Sequence, residues 1–445
     1  MRVIGLDVHR NFAQVAILED GLVKDHGRVT MDREAVLRFA STLSKEDEVV
    51  LEATGNTAII VRLLTPFVHR VAIANPLQVR AIGWAKVKTD KIDAAVLARL
   101  HAAQFLPEVW MPTEDVELQR RCVAERFQLV SQMTRLKNRI QSVLHANLLP
   151  RETGRIYGKQ GRARLEVLPL PTDQMRLVLR HHDELARLGH ELDVLDKELS
   201  QRALADPNVK RLMTIGGVNS VVAVSVLAAV GDISRFSTPE KLVSYLGLNP
   251  SVHQSGDHPA YHGHITHQGR GHARGMLVEA AWSLAPGPGP LSAFFHRISL
   301  KRGKQVAAVA TARKLAVLMW HMLTKGEDYA WTRPALMQWK LRQLELKAGH
   351  ASRRGGKTPG PARDYSRKAV RDKERAWLGM AEAEYKRFVA AWRDQRQRSH
   401  PPPEAKGTRK TLVNCIRVRR QITIVDVARQ RLPTLQAVVY GPGRG

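Results

Sequence analysis

Apolar positions along the chain change their period twice, and each change marks a new kind of structure. In the first hundred residues, runs with a two-residue period alternate with runs of helical period. Val3–Asp7 and Phe12–Ile17 read as strands, separated by His9-Arg10-Asn11 and closed by a turn at Asp20-Gly21. A helix is predicted over Asp32–Leu43, then a strand over Glu48–Leu51. Glu52-Ala53-Thr54-Gly55 leads into a helix ending near Leu64; a strand at Val71–Ala74 and a helical tract from Gln78 to His101 follow. This alternation predicts an α/β layer domain over residues 1–110.

Beyond it the strand period disappears. Leu129, Met133, Leu136, Ile140 and Val143 follow a 4-3-4-3 spacing, and Leu185, Leu188, Leu192, Leu195 and Leu199 follow 3-4-3-4. These are short heptad seams. They predict a coiled-coil-like antiparallel helical hairpin over 111–205, either completed by a partner subunit or packed on its own domain. Residues 206–328 form a second, mostly α-helical unit. In it, Met213-Thr214-Ile215-Gly216-Gly217-Val218-Asn219 reads either as the turn of a helix-hairpin-helix, whose backbone N–H groups suit a phosphate, or equally as a glycine turn between two core helices. From 329 to 445 the chain becomes a basic, proline-bearing tail, read as an electrostatic nucleic-acid clamp or as partly disordered, with a helix over Asp372–Arg398 and a weak strand pattern over Leu412–Val427.

Charge decides the class of partner. Lys+Arg number 70 against 42 Asp+Glu, a formal charge of +28, and from Trp331 to Gly445 the balance is 27 against 9. So basic a surface gains free energy by displacing counterions from phosphates, which favours nucleic acid over an anionic membrane. No apolar run reaches the roughly 18 residues of a membrane span. Met1–Asp7 lacks a signal-peptide layout, and two cysteines, Cys122 and Cys415, build neither a disulfide framework nor a zinc site. The expectation is a reduced cytoplasm and no membrane.

Four acidic residues stand where chemistry is expected. Asp7 and Glu52 each end a predicted strand, and Asp90 and Asp93, three apart on a helix, share one face. Converging carboxylates repel one another unless cations lie between them, and Mg²⁺ suits a cluster that also binds phosphate. Singly, each acid is better explained as a turn residue, a cap or a solvated helix face; their joint order is what points to a site.

Taken together, Gly5-Leu6-Asp7-Val8, Leu51-Glu52-Ala53-Thr54-Gly55, Asn75-Pro76 and Lys88-Thr89-Asp90-Lys91-Ile92-Asp93-Ala94 resemble the RuvC-like, ribonuclease-H-type domain of the DEDD transposases. That insertion-sequence family contains the Piv-type invertases and the bridge-RNA-guided recombinases. Further on, Tyr245-Leu246-Gly247-Leu248-Asn249-Pro250, Gln254-Ser255-Gly256 and His264-Ile265-Thr266-His267-Gln268-Gly269-Arg270-Gly271 resemble its second, serine-bearing domain, as does Ala312-Arg313-Lys314-Leu315. His267 stands where the family usually has Lys. The resemblance covers about residues 1–326 and implies a transposase or site-specific recombinase. Asp7, Glu52, Asp90 and Asp93 would hold Mg²⁺; Ser255, with Thr266 as the competing hydroxyl, would be the nucleophile. It also implies element-end and target DNA as substrates, a structured guide RNA, and a homodimer or homotetramer in which the acids of one subunit serve the serine of another. Lys88, Gly216, Gly217, Thr266, Arg270, Arg274, Lys301, Arg302, Arg313 and Lys314 are the expected nucleic-acid contacts. Two rival readings stay open: a junction-resolving nuclease with no protein nucleophile, and a non-catalytic nucleic-acid-binding protein.

Overall fold

A computed structural model describes residues 2–82, 89–150, 154–158, 160–256, 258–351 and 361–399. The expected strand at Leu412–Val427 lies outside them. The chain divides into two compact units, Met1–Thr113 and Glu114–Gly445.

The first unit runs β1 (Val3–Val8), β2 (Phe12–Glu19), β3 (Leu22–Thr30), α1 (Arg33–Ala40), β4 (Glu48–Glu52), α2 (Thr57–Leu64), β5 (Arg70–Ala74), α3 (Pro76–Ile82) and α4 (Asp90–Ala102). Its five strands lie in the order β3-β2-β1-β4-β5. The first three are antiparallel, whereas β1, β4 and β5 are parallel, a mixed sheet compatible with a ribonuclease-H/RuvC-like domain. Alternation along β1 sorts the layers: Ile4 and Leu6 join the core beneath α1 and α2, with Val36, Phe39, Ile60 and Leu64. Val3 joins the opposite core, with Val79, Leu97 and Ala98 of α3 and α4. β3 escaped the sequence pattern because it is an edge strand with a mostly exposed or half-exposed surface and polar residues between its apolar ones. The tract from Gln78 to His101 is not one helix either: α3 stops at Ile82, and Thr89 caps a separate α4, its hydroxyl accepting from the Ile92 amide at 3.4 Å.

One contact sets how close helix and sheet come. A Cβ built on Gly5 would stand 2.0 Å from the carbonyl oxygen of Ala94, so α4 lies directly on the backbone of β1.

The second unit is built of α5 (Glu114–Ala146), α6 (Gly161–Glu166), α7 (Thr172–Ala205), α8 (Pro207–Met213), α9 (Ser220–Val230), α10 (Pro239–Tyr245), β6 (Pro250–His253), β7 (Tyr261–Ile265), α11 (Gly271–Leu284), α12 (Pro290–Arg302), α13 (Lys304–Lys325), α14 (Pro334–Lys347) and α15 (Lys368–Ser399). α5 and α7 run antiparallel, because Arg202 pairs with Asp115, Arg126 with Asp196, and Asn147 with Gln174. α13 is the one described helix long and apolar enough to cross a membrane. Its Ala312, Leu315, Leu318 and Met319 lie buried in the unit's own core, so here it is a core helix.

The expected end of this unit near residue 328 falls inside its core. Trp331, Leu344, Trp377, Leu378, Ala381 and Tyr385 belong to the same buried cluster as α9, α11 and α13. The basic composition hid this, because only one face of α14 and α15 is apolar. α14 also carries Lys340, 8% exposed, whose ammonium donates to the carbonyls of Met213, Ile215 and Val218 at 2.7, 2.7 and 2.8 Å. A lysine from the supposed tail thus ties down the glycine turn between α8 and α9.

Two outcomes test this packing. Gly5→Ala should lower the urea midpoint by an amount equivalent to about 1–3 kcal/mol or more, the cost of forcing volume into a closed contact. Lys340→Met takes away the donor that the buried carbonyls share and should cost roughly 1–3 kcal/mol near pH 8. Burial, helped by Arg333, brings the Lys340 ammonium down to about 7 from an ordinary 10.5. The unfolded chain therefore binds more protons between those values, and stability should rise with pH across that window. Denaturation curves of Lys340→Met at pH 7.5 and 9.5 should lack that part of the rise; an identical rise in both proteins would rule the account out.

Candidate active site

Asp7 lies near the carboxyl end of β1 and Glu52 ends β4, its parallel neighbour, where Leu6 pairs with Leu51. The two acids therefore follow adjacent paired residues on the edge of the sheet where α/β folds place their sites. Alternation puts Asp7 on the same face as Gly5, the face covered by α4. Because α4 rests on β1 at Ala94, its first turn, with Asp90 and Asp93, comes down beside Asp7.

The electrostatics record this approach. Burial holds the Asp7 carboxyl above the usual carboxylate range, and the charges of Asp93 and Asp90 push it further up. His9 opposes them, since its Nε2 lies 3.2 Å from Asp7 Oδ2 and 3.4 Å from Asp90 Oδ1. One ligand atom each from Asp7, His9 and Asp90 lies within 4.8 Å of the others. Two carboxylates and an imidazole so placed fit a divalent cation, which would relieve the repulsion that burial intensifies. Glu52 is half-buried at the neighbouring strand end.

A chain of polar contacts holds the first turn of α4 in place. Arg28 of β3 reaches Asp90 at 3.5 Å and Gln14 at 3.3 Å, and Gln14, buried opposite Asp7, donates to Asp25 at 2.6 Å. Asp25 in turn pairs with Lys91 at 2.6 Å. His9 and Arg28 were missed from the sequence, His9 because it reads as a residue in a turn. Its proximity to the first acid, two positions away, was the available signal.

In the second unit β6 and β7 form a two-stranded hairpin, an element the apolar pattern did not announce. Ser255 is exposed at its tip, beside Gly256 at φ +54°, a conformation that suits glycine. Thr266 is also exposed, just past β7, and its amide donates to the carbonyl of Asn249 at 2.9 Å.

The expected nucleic-acid contacts separate into different surroundings. Lys88 lies outside the described residues. A Cβ on Gly217 would stand 2.6 Å from the Ala280 carbonyl oxygen and from Leu284 Cγ, so that glycine is accounted for by the close approach of α11. Arg274 donates to the carbonyls of Leu246 and His267, stapling the loop before its helix. Arg313 is half-buried, and its guanidinium is held below its usual range by that burial, with Glu240 opposing. Lys301 and Arg302 are exposed in the last turn of α12. Arg270 is exposed at the start of α11, its Nε 2.8 Å from the Tyr245 hydroxyl.

Two family models match the chain. A DEDD transposase model of the IS110 type matches residues 4–147, and the model of the IS116/IS110/IS902 transposase family matches residues 209–294. The chain belongs to this transposase family. A probable family 20 transposase of Pseudomonas aeruginosa is 27% identical over 298 residues, covering 63% of this chain and 85% of that protein. The transposase for insertion sequence element IS1111A of Coxiella burnetii is 26% identical over 345 residues, 74% and 91% of the two chains. A pilin gene-inverting protein of Moraxella bovis is 28% identical over 275 residues, 59% and 74%. The transposase is thus a DNA recombinase by class, and its DEDD type suggests divalent metal use. Both family matches end before α14 and α15, so the elements that complete the second core are additions to the matched part.

In the metal-free transposase, His9→Ala should raise the Asp7 carboxyl further, since the imidazole's hydrogen bond and charge are what lower it. Carbon NMR titration of the aspartate side chains reads this directly. A lower value would refute the coupling.

Proposed function

We propose that the transposase cuts and rejoins DNA of a mobile element, with Asp7, Glu52, Asp90 and Asp93 holding Mg²⁺ and Ser255 acting as nucleophile. The observation that carries the reading is the meeting of Asp7 and Asp90 about His9 at the edge of the sheet, with Asp93 coupled to Asp7 by charge. Isolated acids at strand ends have no reason to converge against their own repulsion. Bound Mg²⁺ would supply positive charge for the attacking and leaving oxygens of a phosphodiester.

The residues of the chain have separable roles. The carboxylates take up the cation and fix the phosphate's orientation. His9 keeps Asp7 and Asp90 apart and oriented, and Arg28 restrains Asp90 from the other side. Ser255, exposed on a glycine-flanked hairpin tip, is open to close approach by a phosphodiester. Its Oγ forms a bond to phosphorus as the bond to the leaving DNA oxygen breaks, and that oxygen takes up a proton. Attack by a DNA hydroxyl on the serine ester then rejoins the strand and frees Ser255. The excess of basic residues fits a structured RNA partner as well as DNA. Assembly as a homodimer or homotetramer completes the reading.

The test incubates purified full-length transposase, element-end DNA and RNA transcribed from the flanking region with Mg²⁺. A covalent protein–DNA adduct is expected, and peptide mapping should place it at Ser255. Ser255→Ala should lose adduct and cleavage, while Asp7→Ala should lose cleavage by 10³-fold or more, on the order of an oxyanion-donor loss or greater, and keep DNA binding. Cleavage that survives in Ser255→Ala without an adduct would establish the junction-nuclease reading instead; an adduct at Thr266 would reassign the nucleophile. Asp7→Ala with unaltered cleavage would leave only a nucleic-acid-binding role.

A further inference from the structure

Three guanidinium groups from three separate segments of the second unit converge on one phenol. The hydroxyl of Tyr245, at the end of α10, accepts from Arg270 Nε at 2.8 Å and from Arg120 Nη2 at 3.3 Å, and donates to the Ala229 carbonyl at 3.1 Å. Arg235, from the loop between α9 and α10, stacks its guanidinium 4.4 Å from the Tyr245 ring centroid and 4.4 Å from that of Phe236. Arg270 lies 5.7 Å from the Tyr245 centroid.

Arg120 has a sufficient structural role, since from α5 it donates to the carbonyls of Ala228 and Ala229 at the end of α9. Arg235 is held by stacking on Phe236 and Tyr245, and Arg270 by its hydrogen bond to the Tyr245 hydroxyl. Each adds a positive charge beside the other two, and both disfavour the charged form of Arg120. All three arginines favour the phenolate of Tyr245. Asp232 interacts with Arg235. Like charges gathered in one place repel, a shared anion relieves that repulsion, and planar guanidiniums match phosphate in two-point contacts.

The position of the cluster narrows the anion. Tyr245 precedes β6 and Arg270 follows β7, so the two residues flank the hairpin that carries Ser255 at its tip. Two backbone bonds close the base of that hairpin, from Arg270 N to Tyr245 O at 3.2 Å and from Thr266 N to Asn249 O at 2.9 Å. About five extended residues separate base from tip, roughly 17 Å at ~3.3 Å per residue. That spans about five steps of a duplex strand at ~3.4 Å each.

We propose that Arg120, Arg235 and Arg270, grouped about Tyr245, grip one phosphate of the DNA strand on which Ser255 acts, about five nucleotides from the scissile position. The choice of strand rests on the Ser255 reading; the grip itself rests on the arginine cluster. The cluster holds the strand at the base of the hairpin while the tip reaches along it.

The full-length chain is titrated into a fluorescein-labelled 30-base-pair duplex, with anisotropy recorded across a salt series, for the parent, Arg235→Ala, Arg270→Ala and Tyr245→Phe. Arg120 is left intact because it also caps α9, and thermal melts confirm that each variant is folded. One lost phosphate contact lowers the slope of log K against log salt by about 0.9. Arg235→Ala and Arg270→Ala should each show that drop and bind about tenfold more weakly at ~0.15 M salt, with Tyr245→Phe retaining the parent slope. An unchanged slope in both arginine variants would overturn the grip. The same series on a single-stranded RNA of equal length is the second arm: a drop confined to RNA would overturn the assignment to DNA. Ser255→Ala is carried through both arms and should keep the parent slope, so failure of the nucleophile shows as a persisting adduct, separately from any failure of the cluster. Ethylation interference on trapped adducts should map the gripped phosphate about five nucleotides from the serine linkage, and protection elsewhere would refute the spacing.

Discussion

The acidic cluster depends on a contact that contains no charge. Where Gly5 meets Ala94, the absence of a side chain lets α4 settle on the backbone of β1. Side chains on a strand stand perpendicular to the sheet and those of a helix lean toward its N-terminus. A helix seated one side chain further away would carry Asp90 and Asp93 out of reach of Asp7. Closeness also makes the site electrostatically costly: the same contact that buries Asp7 brings two further carboxylates toward it. His9, Arg28, Gln14, Asp25 and Lys91 then balance and orient the turn that this packing has delivered.

The second unit follows a similar logic with opposite sign. Its glycine turn is pressed against α11 at Gly217, and a buried ammonium from α14 satisfies the carbonyls that the turn leaves directed inward. That arrangement holds an ammonium in a place that disfavours its charge. Around Tyr245 the pattern recurs, with three cations collected by aromatic packing and backbone capping. In a chain of +28 net charge, such clusters are where the excess becomes localised enough to act on a phosphate.

What the sequence made legible was whatever is periodic or contiguous. Strands β1, β2, β4 and β5 declared themselves by apolar alternation bounded by turn residues, and the long helices of the second unit by heptad spacing. Asp90 and Asp93 were recognisable as a pair because helix geometry alone puts residues three apart on one side. β3 was not legible, since an exposed edge strand needs no apolar face. α14 was hidden, and although the helix over Asp372–Arg398 was expected, its place in the core was not, since a basic outer surface masks the face on which Trp377 and Leu378 join Trp331 and Leu344.

By itself, then, the amino-acid order determined the α/β character of the first unit, the helical character of the second, which acids stand as candidates for a metal, and the polyanionic nature of the partner. Each of these follows from local spacing or summed charge. Only the tertiary structure decided that His9 sits between Asp7 and Asp90, that Lys340 supports a turn more than a hundred residues away in sequence, and that Arg120, Arg235 and Arg270 share one tyrosine. Those meetings join segments whose spacing in the chain carries no period. What brings them together is close packing of helices and sheet, which responds to the shape of every neighbour at once.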